Sequence, residues 1–368
     1  MGLSILGVGT ALPDNIVTQA EAVETAKVFC CTTDDERALL PMLYRGTGIK
    51  QRHMVLQQDI MHEVLAGDTR TASAFLPKDK ADHDGPSTLD RMKRYAIEAP
   101  ELATMAASDG LKRAGVSAQS ITHLVTVSCT GFGAPGVDIA LFKRLGLPAT
   151  AQRVNVGFMG CHAAINGLRV AHGLAAADPD ARVLVCCVEL CSLHFHYGWD
   201  PKKVVANALF ADGAAALVGG AEPAGSKRPW QVTSTASCLI PDSEYAMTWD
   251  IGNHGFAMTL STRVPTLIAK NVRPFLDQWL AKNGLTVPDI KSWAIHPGGP
   301  RILSSIEQPL GIDETATNVS REVLGDHGNM SSPTVLFILD KLMERDAPLP
   351  CVAIGFGPGL MAEAALIV

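Results

Sequence analysis

The chain has no Cys-x-x-Cys pair, no block of Lys or Arg, no Pro- or Ser-rich linker, and no apolar run of the ~18 residues that would cross a bilayer. Each absence excludes something. Without a basic block nothing neutralises a phosphate backbone, and the net charge of -6 and pI of about 6.0 point the same way, so no nucleic acid partner is expected. Without a long apolar run no membrane span is expected. Met1 to Pro13 also lacks a basic n-region and a small-residue cleavage site, so a cytoplasmic protein is expected. Length alone would suggest about two domains, but with no linker to separate them the 368 residues should form one compact body.

What is present is core material: 47% of residues are hydrophobic and 18% charged, which points away from disorder. The nine cysteines are odd in number, and most sit in apolar runs such as Val183-Leu-Val-Cys-Cys-Val188. They read as buried free thiols in a reducing compartment. The His194-x-His196 pair has no third and fourth ligand at zinc-like spacing, so no metal site is expected.

Leu3 to Leu12 reads as a strand, and a polar segment from about Ala66 to Pro86 reads as a surface loop. Ser87 or Thr88 can cap a long amphipathic helix that ends near Gly115. Strand His123–Ser128 then leads into a Cys129-Thr-Gly-Phe-Gly-Ala-Pro-Gly136 loop. A strand, turn and helix follow at Arg153–Ala177, and then a near-continuous apolar strand at Arg182–Glu189. From Trp230 the order recurs: a strand, helix Val264–Asn283, strand Ser292–His296 with a Pro-Gly-Gly-Pro300 loop, then Gly328-Asn-Met-Ser-Ser332 opening a helix to about Arg345. Two halves related by a pseudo-two-fold would bring the loops of equivalent strands and the starts of equivalent helices to one place. The expected division is residues 1–222 and 223–368.

Cys161 lies where an apolar strand ends in glycines and a small-residue helix begins, with Gly157 and Gly160 allowing a sharp turn. At a helix N-terminus the dipole and unpaired N–H groups favour thiolate. None of the other eight cysteines has this setting. A thiolate needs a basic partner, and eleven histidines compete. His162 is adjacent, but a helical neighbour points away. His296 ends an apolar strand and opens a glycine loop, so its imidazole can project into a cleft. Asn329, at the start of the helix expected over Met330–Arg345, is in the second-half equivalent of the Cys161 elbow, so pseudo-symmetry points all three toward one cavity.

Gly157-Phe-Met-Gly-Cys161, Ile295-His-Pro-Gly-Gly-Pro300, Gly328-Asn-Met-Ser-Ser332 and Gly355-Phe-Gly-Pro-Gly359 together resemble the signatures of type III polyketide synthases, the chalcone and stilbene synthase group. Leu209-Phe-Ala-Asp-Gly-Ala214 resembles them too, as does Arg91-Met-x-x-Tyr95, the latter in bacterial members. The match runs in order over essentially the whole chain. It implies an α/β protein of the thiolase fold: a duplicated αβαβα five-layer architecture, working as a homodimer on coenzyme A thioesters with no metal or redox cofactor. The N-terminal half carries the nucleophile, the C-terminal half the His and Asn.

The resemblance further implies that Cys161 accepts an acyl starter from acyl-CoA and is activated as a thiolate by His296. His296 and Asn329 then stabilise the enolate formed when malonyl-CoA loses carbon dioxide. Phe210 matches an aromatic gatekeeper, and a second gate position that is Phe in plant members is Met258 here. Cys129, Cys191 and His194 align with cavity positions that are commonly Thr, and Ser331 is a further substrate-binding position. Ala134 replaces the Met that reaches into the partner subunit in plant members. Arg45 is the only cation near Leu39–Gly46, where plant members hold the coenzyme A phosphates. Two enzymes remain as alternatives, a β-ketoacyl-carrier-protein synthase III and, more remotely, a Cys-His-Asn protease; a catalytically inactive scaffold is a third reading.

Overall fold

The computed structural model describes residues 2–56, 58–67, 71, 73–77, 84–220 and 230–368. Residues 68–70, 72 and 78–83 of the polar segment expected over Ala66–Pro86, and the boundary expected at 222/223, lie outside the described residues.

The first half contributes β1 (Leu3–Ala11), α1 (Thr88–Ala114), β2 (His123–Ser128), α2 (Val137–Leu145), β3 (Gln152–Gly157), α3 (Ala163–Ala177), β4 (Arg182–Leu190) and β5 (Asp212–Gly220). The second repeats the order, without a counterpart of β3, as β6 (Gln231–Leu239), α4 (Val264–Lys282), β7 (Ser292–Ile295), α5 (Pro300–Leu310), α6 (Pro333–Glu344), β8 (Cys351–Gly357) and β9 (Met361–Ile367). Local chemistry sets the ends. The Ser87 side chain caps α1 by accepting from the Asp90 N–H, and Gly115 stops it in the left-handed region at φ 66°.

Pairing reproduces the duplication. β1, β5, β4, β2 and β3 lie in that order, and β6, β9, β8 and β7 follow the same order in the second half. β5 is antiparallel to both β1 and β4, as β9 is to both β6 and β8. β2–β4 and β7–β8 are parallel. Leu3 and Ser4 pair with Val232 and Gln231, which joins the halves into one nine-stranded sheet.

Helices fill the layers. Ala163, Leu168, Ala171, Val335, Leu336 and Leu339, from α3 and α6, share a core with residues of both halves' strands. Gly167 of α3 is tight against the sheet: a Cβ there would sit 3.0 Å from Val185 and 3.1 Å from Val127. α1 packs its Tyr95, Ala99, Leu102 and Ala106 stripe on the outer face of the first half. α4 and α5 cover the second through Ile268, Leu276, Leu303 and Ile306. The result is helix, sheet, helix, sheet, helix, the five layers of a thiolase fold.

Two expectations need correction. The helix expected to start at Met330 starts at Pro333, because Ser331 adopts φ 56° and Pro333 is the natural first helical residue. Of the two elbow glycines only Gly160 takes a left-handed turn, at φ 72°; the other left-handed residue is Phe158, at φ 57°.

Candidate active site

The parallel strands deliver their following loops, and α3 and α6 their starts, to one region. Cys161 lies in the turn Gly160–His162 immediately before α3. His296 follows β7 and extends its ladder, its N–H donating to the Ile354 carbonyl at 2.8 Å. Asn329 is not a helix cap: it is bridged to Phe210, with N–H to the Leu209 carbonyl and carbonyl to the Ala211 N–H, each 2.9 Å. Its side-chain oxygen accepts from the Ser331 N–H at 2.8 Å, which leaves the amide NH2 facing the site as a donor.

Cys161, His296 and Asn329 line one small cavity of about 30 Å³. Cys161 also lines a second cavity of about 330 Å³, with Cys129, Cys191, His194 and Ser331. Phe210 and Met258 line both, so they stand where the two spaces meet. The structure therefore brings all nine sequence-predicted site residues to one connected site.

Gly355-Phe-Gly-Pro-Gly359 is the surface against which the elbow packs. A Cβ on Gly357 would come within 2.5 Å of the His162 ring, and one on Gly160 within 2.5 Å of the Pro358 ring. Gly355 lies between His162 and His296, 3.2 and 3.5 Å from their Cβ atoms by the same measure. His162 bonds Asn166 Oδ1 at 2.7 Å through Nδ1 and stays within the elbow.

Electrostatics departs from the expected thiolate. Burial pushes the Cys161 thiol up to about 11, outweighing hydrogen bonds from Ser331 and Asn329; the negative Glu189 adds to the rise. Burial holds His296 down to about 3, with His162 acting in the same direction, and neither His296 ring nitrogen has a hydrogen-bond partner. Each group alone is thus neutral. Deprotonating Cys161 requires an acceptor that gains from the new negative charge, and His296 lines the same small cavity.

Residues that sequence reasoning passed over hold the walls. Glu189, fully buried, accepts from the Cys129 N–H (2.9 Å), the Thr130 N–H (3.1 Å), the Thr130 hydroxyl and the Ser332 hydroxyl (both 2.7 Å). It ties the loop after β2 to the segment before α6. Asp212, raised to about 6 by burial, accepts from Val55 and Ser192 N–H groups at 2.8 and 2.7 Å. Their sequence signal was a lone carboxylate inside an apolar run. Trp249 donates its indole N–H to the Cys129 carbonyl at 2.7 Å. His194 accepts the Phe256 N–H at Nδ1 (3.0 Å) and so donates through Nε2 to the Thr130 carbonyl (2.6 Å). Held to about 3 by burial, it is a neutral wall residue.

Known proteins share this architecture. The chalcone and stilbene synthase N-terminal domain profile matches residues 2–223 and the C-terminal domain profile residues 231–368. The chain belongs to the chalcone and stilbene synthase family. Pks18 of Mycobacterium tuberculosis, described as an alpha-pyrone synthesis polyketide synthase-like protein, is 34% identical over 98% of this chain and 90% of its own length. The crystal structure of PKS-I from the brown alga Ectocarpus siliculosus superposes with a TM-score of 0.92 at 32% identity, covering 100% of this chain and 98% of that one. The C-terminal type III polyketide synthase domain of Steely1 from Dictyostelium gives 0.89 at 29% identity, covering 100% and 99%.

The chain is therefore a type III polyketide synthase, an acyltransferase-type condensing enzyme. Arg45 is exposed at the end of the helix Asp34–Arg45 and lines neither cavity. Among the described residues no helix is long and apolar enough to cross a membrane, and no cluster of three or more His, Cys, Asp or Glu could hold a metal ion.

Proposed function

We propose that Cys161 accepts an acyl starter from acyl-CoA and that the chain is extended there by repeated decarboxylative condensation with malonyl-CoA. The observation that carries this reading is the small cavity shared by Cys161, His296 and Asn329, with Phe210 and Met258 between it and the larger one. His296 takes the thiol proton; the thiolate attacks the starter thioester carbonyl and coenzyme A leaves as a thiolate that recovers the proton. Malonyl-CoA then loses carbon dioxide, and the electron pair of the broken bond passes into an enolate whose oxygen accepts from Asn329 and His296. The enolate carbon attacks the acyl group on Cys161, forming the new carbon–carbon bond and freeing the thiolate. Coenzyme A thioesters are the substrates, and no step calls on a metal or redox cofactor.

Cyclisation in the larger cavity releases a pyrone, resorcinol or polyhydroxyarene product. The edge strand β3, exposed along Gln152–Asn155 and flanked by exposed Met159 and Phe132, supports a homodimer. The nine free cysteines fit a reducing, cytoplasmic setting.

Incubation of the enzyme with malonyl-CoA and a panel of short, aromatic and long-chain acyl-CoAs, read by mass spectrometry, is expected to yield extended products from at least one starter. If malonyl carrier protein supports condensation and malonyl-CoA does not, the fatty-acid-type synthase is the correct reading.

The role of His296 has its own signature. A thiol near 11 is ionised to only about one part in 10⁴ at neutral pH. In a His296→Gln variant iodoacetamide labelling of Cys161 is expected to climb about tenfold per pH unit until the pH nears 11. The parent enzyme should label faster at neutral pH and flatten earlier, because His296 supplies the counter-charge. Superimposable profiles would show that His296 does not take the proton.

A further inference from the structure

The elbow that carries Cys161 is entered through Phe158, whose backbone lies in the left-handed region at φ 57°. For a bulky side chain that conformation is strained, and it persists only where surrounding contacts impose it. The segment before α6 also holds a left-handed residue, Ser331 at φ 56°, and there the hold is polar: the Asn329 side-chain oxygen accepts the Ser331 N–H at 2.8 Å. Phenylalanine has no polar group on its side chain, and the Phe158 N–H reaches the Ser128 carbonyl at a long 3.3 Å. The ring supplies the rest of the hold.

That ring packs against two others. Its centroid is 5.9 Å from that of Phe132, in the loop after β2, and 5.6 Å from that of Phe256, in the strand Gly255–Leu260. Phe132 and Phe256 close the triangle, their rings within 10° of parallel at 6.1 Å. Such spacings are those of attractive aromatic pairs. Three separate elements therefore meet in one cluster, with the elbow at one corner.

The cluster leads on to the cavity. Phe256 is buried, stacks on the His194 ring at 4.2 Å and gives its N–H to His194 Nδ1 at 3.0 Å. Met258 follows on the same face of the same strand. Its cross-strand partner is Trp249, which bonds the Cys129 carbonyl. The hairpin that carries the Met258 gate and the elbow that carries the nucleophile are thus braced against each other through the Phe158 ring.

We propose that Phe158 is a positioning residue for Cys161: its ring, packed on Phe132 and Phe256, holds the elbow in its left-handed turn and fixes where the thiol stands relative to the gate. The proposal rests on the reading of Cys161 as the acyl acceptor. His296 follows β7 and Asn329 precedes α6, so neither is carried by the elbow. Acyl loading and condensation therefore depend on Phe158, while malonyl-CoA decarboxylation does not.

The test measures condensation, with an acyl-CoA that the parent enzyme accepts, beside carbon dioxide release from malonyl-CoA. Phe158→Ala is expected to lower kcat for condensation by about tenfold or more, the scale of loss that a displaced reacting group brings. KM for malonyl-CoA and the decarboxylation rate should stay within about threefold of the parent, since the loss lies in orientation and not in binding. Phe158→Gly should lose less than Phe158→Ala, because glycine adopts a positive φ without strain and alanine does not. Phe158→Tyr keeps the ring and should restore condensation. Thermal melts confirm folding, and if the alanine variant does not fold, the glycine variant carries the same comparison of condensation with decarboxylation. Unchanged condensation in a folded ring-less variant, a glycine variant worse than the alanine one, or equal losses in both reactions would overturn the role of Phe158 while condensation at Cys161 stands. A parent enzyme that decarboxylates malonyl-CoA but extends no acyl-CoA would instead overturn the reading of Cys161, and this inference with it.

Discussion

Cys161→Ala is expected to reduce product formation to background, a loss on the order of 10⁴-fold or more, because no other thiol of the site is held as this one is. Cys129 and Cys191 line the same cavity, but burial raises both thiols well above the usual range, Glu189 raises them further, and neither lines the small cavity that holds His296 and Asn329. Cys161→Gln separates the half-reactions. Its carboxamide occupies the position of an acylated thiol, so extension stops, while release of carbon dioxide from malonyl-CoA should persist if His296 and Asn329 hold the enolate without help from the sulfur. The measurement is carbon dioxide or acetyl-CoA formation alongside product mass. Retained condensation in the alanine variant would sink the role proposed for Cys161.

Removing the Asn329 amide is expected to lower malonyl-CoA decarboxylation by about 10²- to 10³-fold, the cost of losing one positioned donor to a developing oxyanion. The backbone of residue 329 bonds to Leu209 and Ala211 in any case, so Asn329→Ala keeps the wall in place. Its side-chain oxygen is occupied by Ser331 N–H, which fixes the NH2 group as donor. Asn329→Asp replaces that donor with an acceptor and should be more damaging than alanine, since it sets a negative charge beside the enolate. The loss should appear mainly in kcat, because the bond strengthens as the enolate forms. An alanine variant with unchanged decarboxylation would remove Asn329 from the oxyanion site.

The fold was legible wherever one element had to satisfy one period. α1 announced itself by its cap, its stripe and Gly115, and β4 by a run apolar enough for burial on both faces. The repeat was legible as element order and reappears as strand order. The start of α6 was misread because propensity alone cannot see that residue 329 pairs with residue 210, a contact across more than a hundred positions. The hairpin Met247–Gly252 with Gly255–Leu260 was passed over although Gly252-Asn-His-Gly255 is turn chemistry, and with it went Trp249 and Phe256. The setting of Cys161 was visible from its glycines, yet the state of its thiol was not, because desolvation comes from side chains delivered by the other half.

Burial gives that thiol a further property. It disfavours the thiolate, with the nearby Glu189 acting in the same direction, so without a proton acceptor the sulfur stays protonated. A protonated thiol is a poor target for peroxide and stray electrophiles, which react with thiolate. The nucleophile therefore appears only while His296 carries its proton, so that transfer sets how much reactive sulfur the enzyme exposes at any moment.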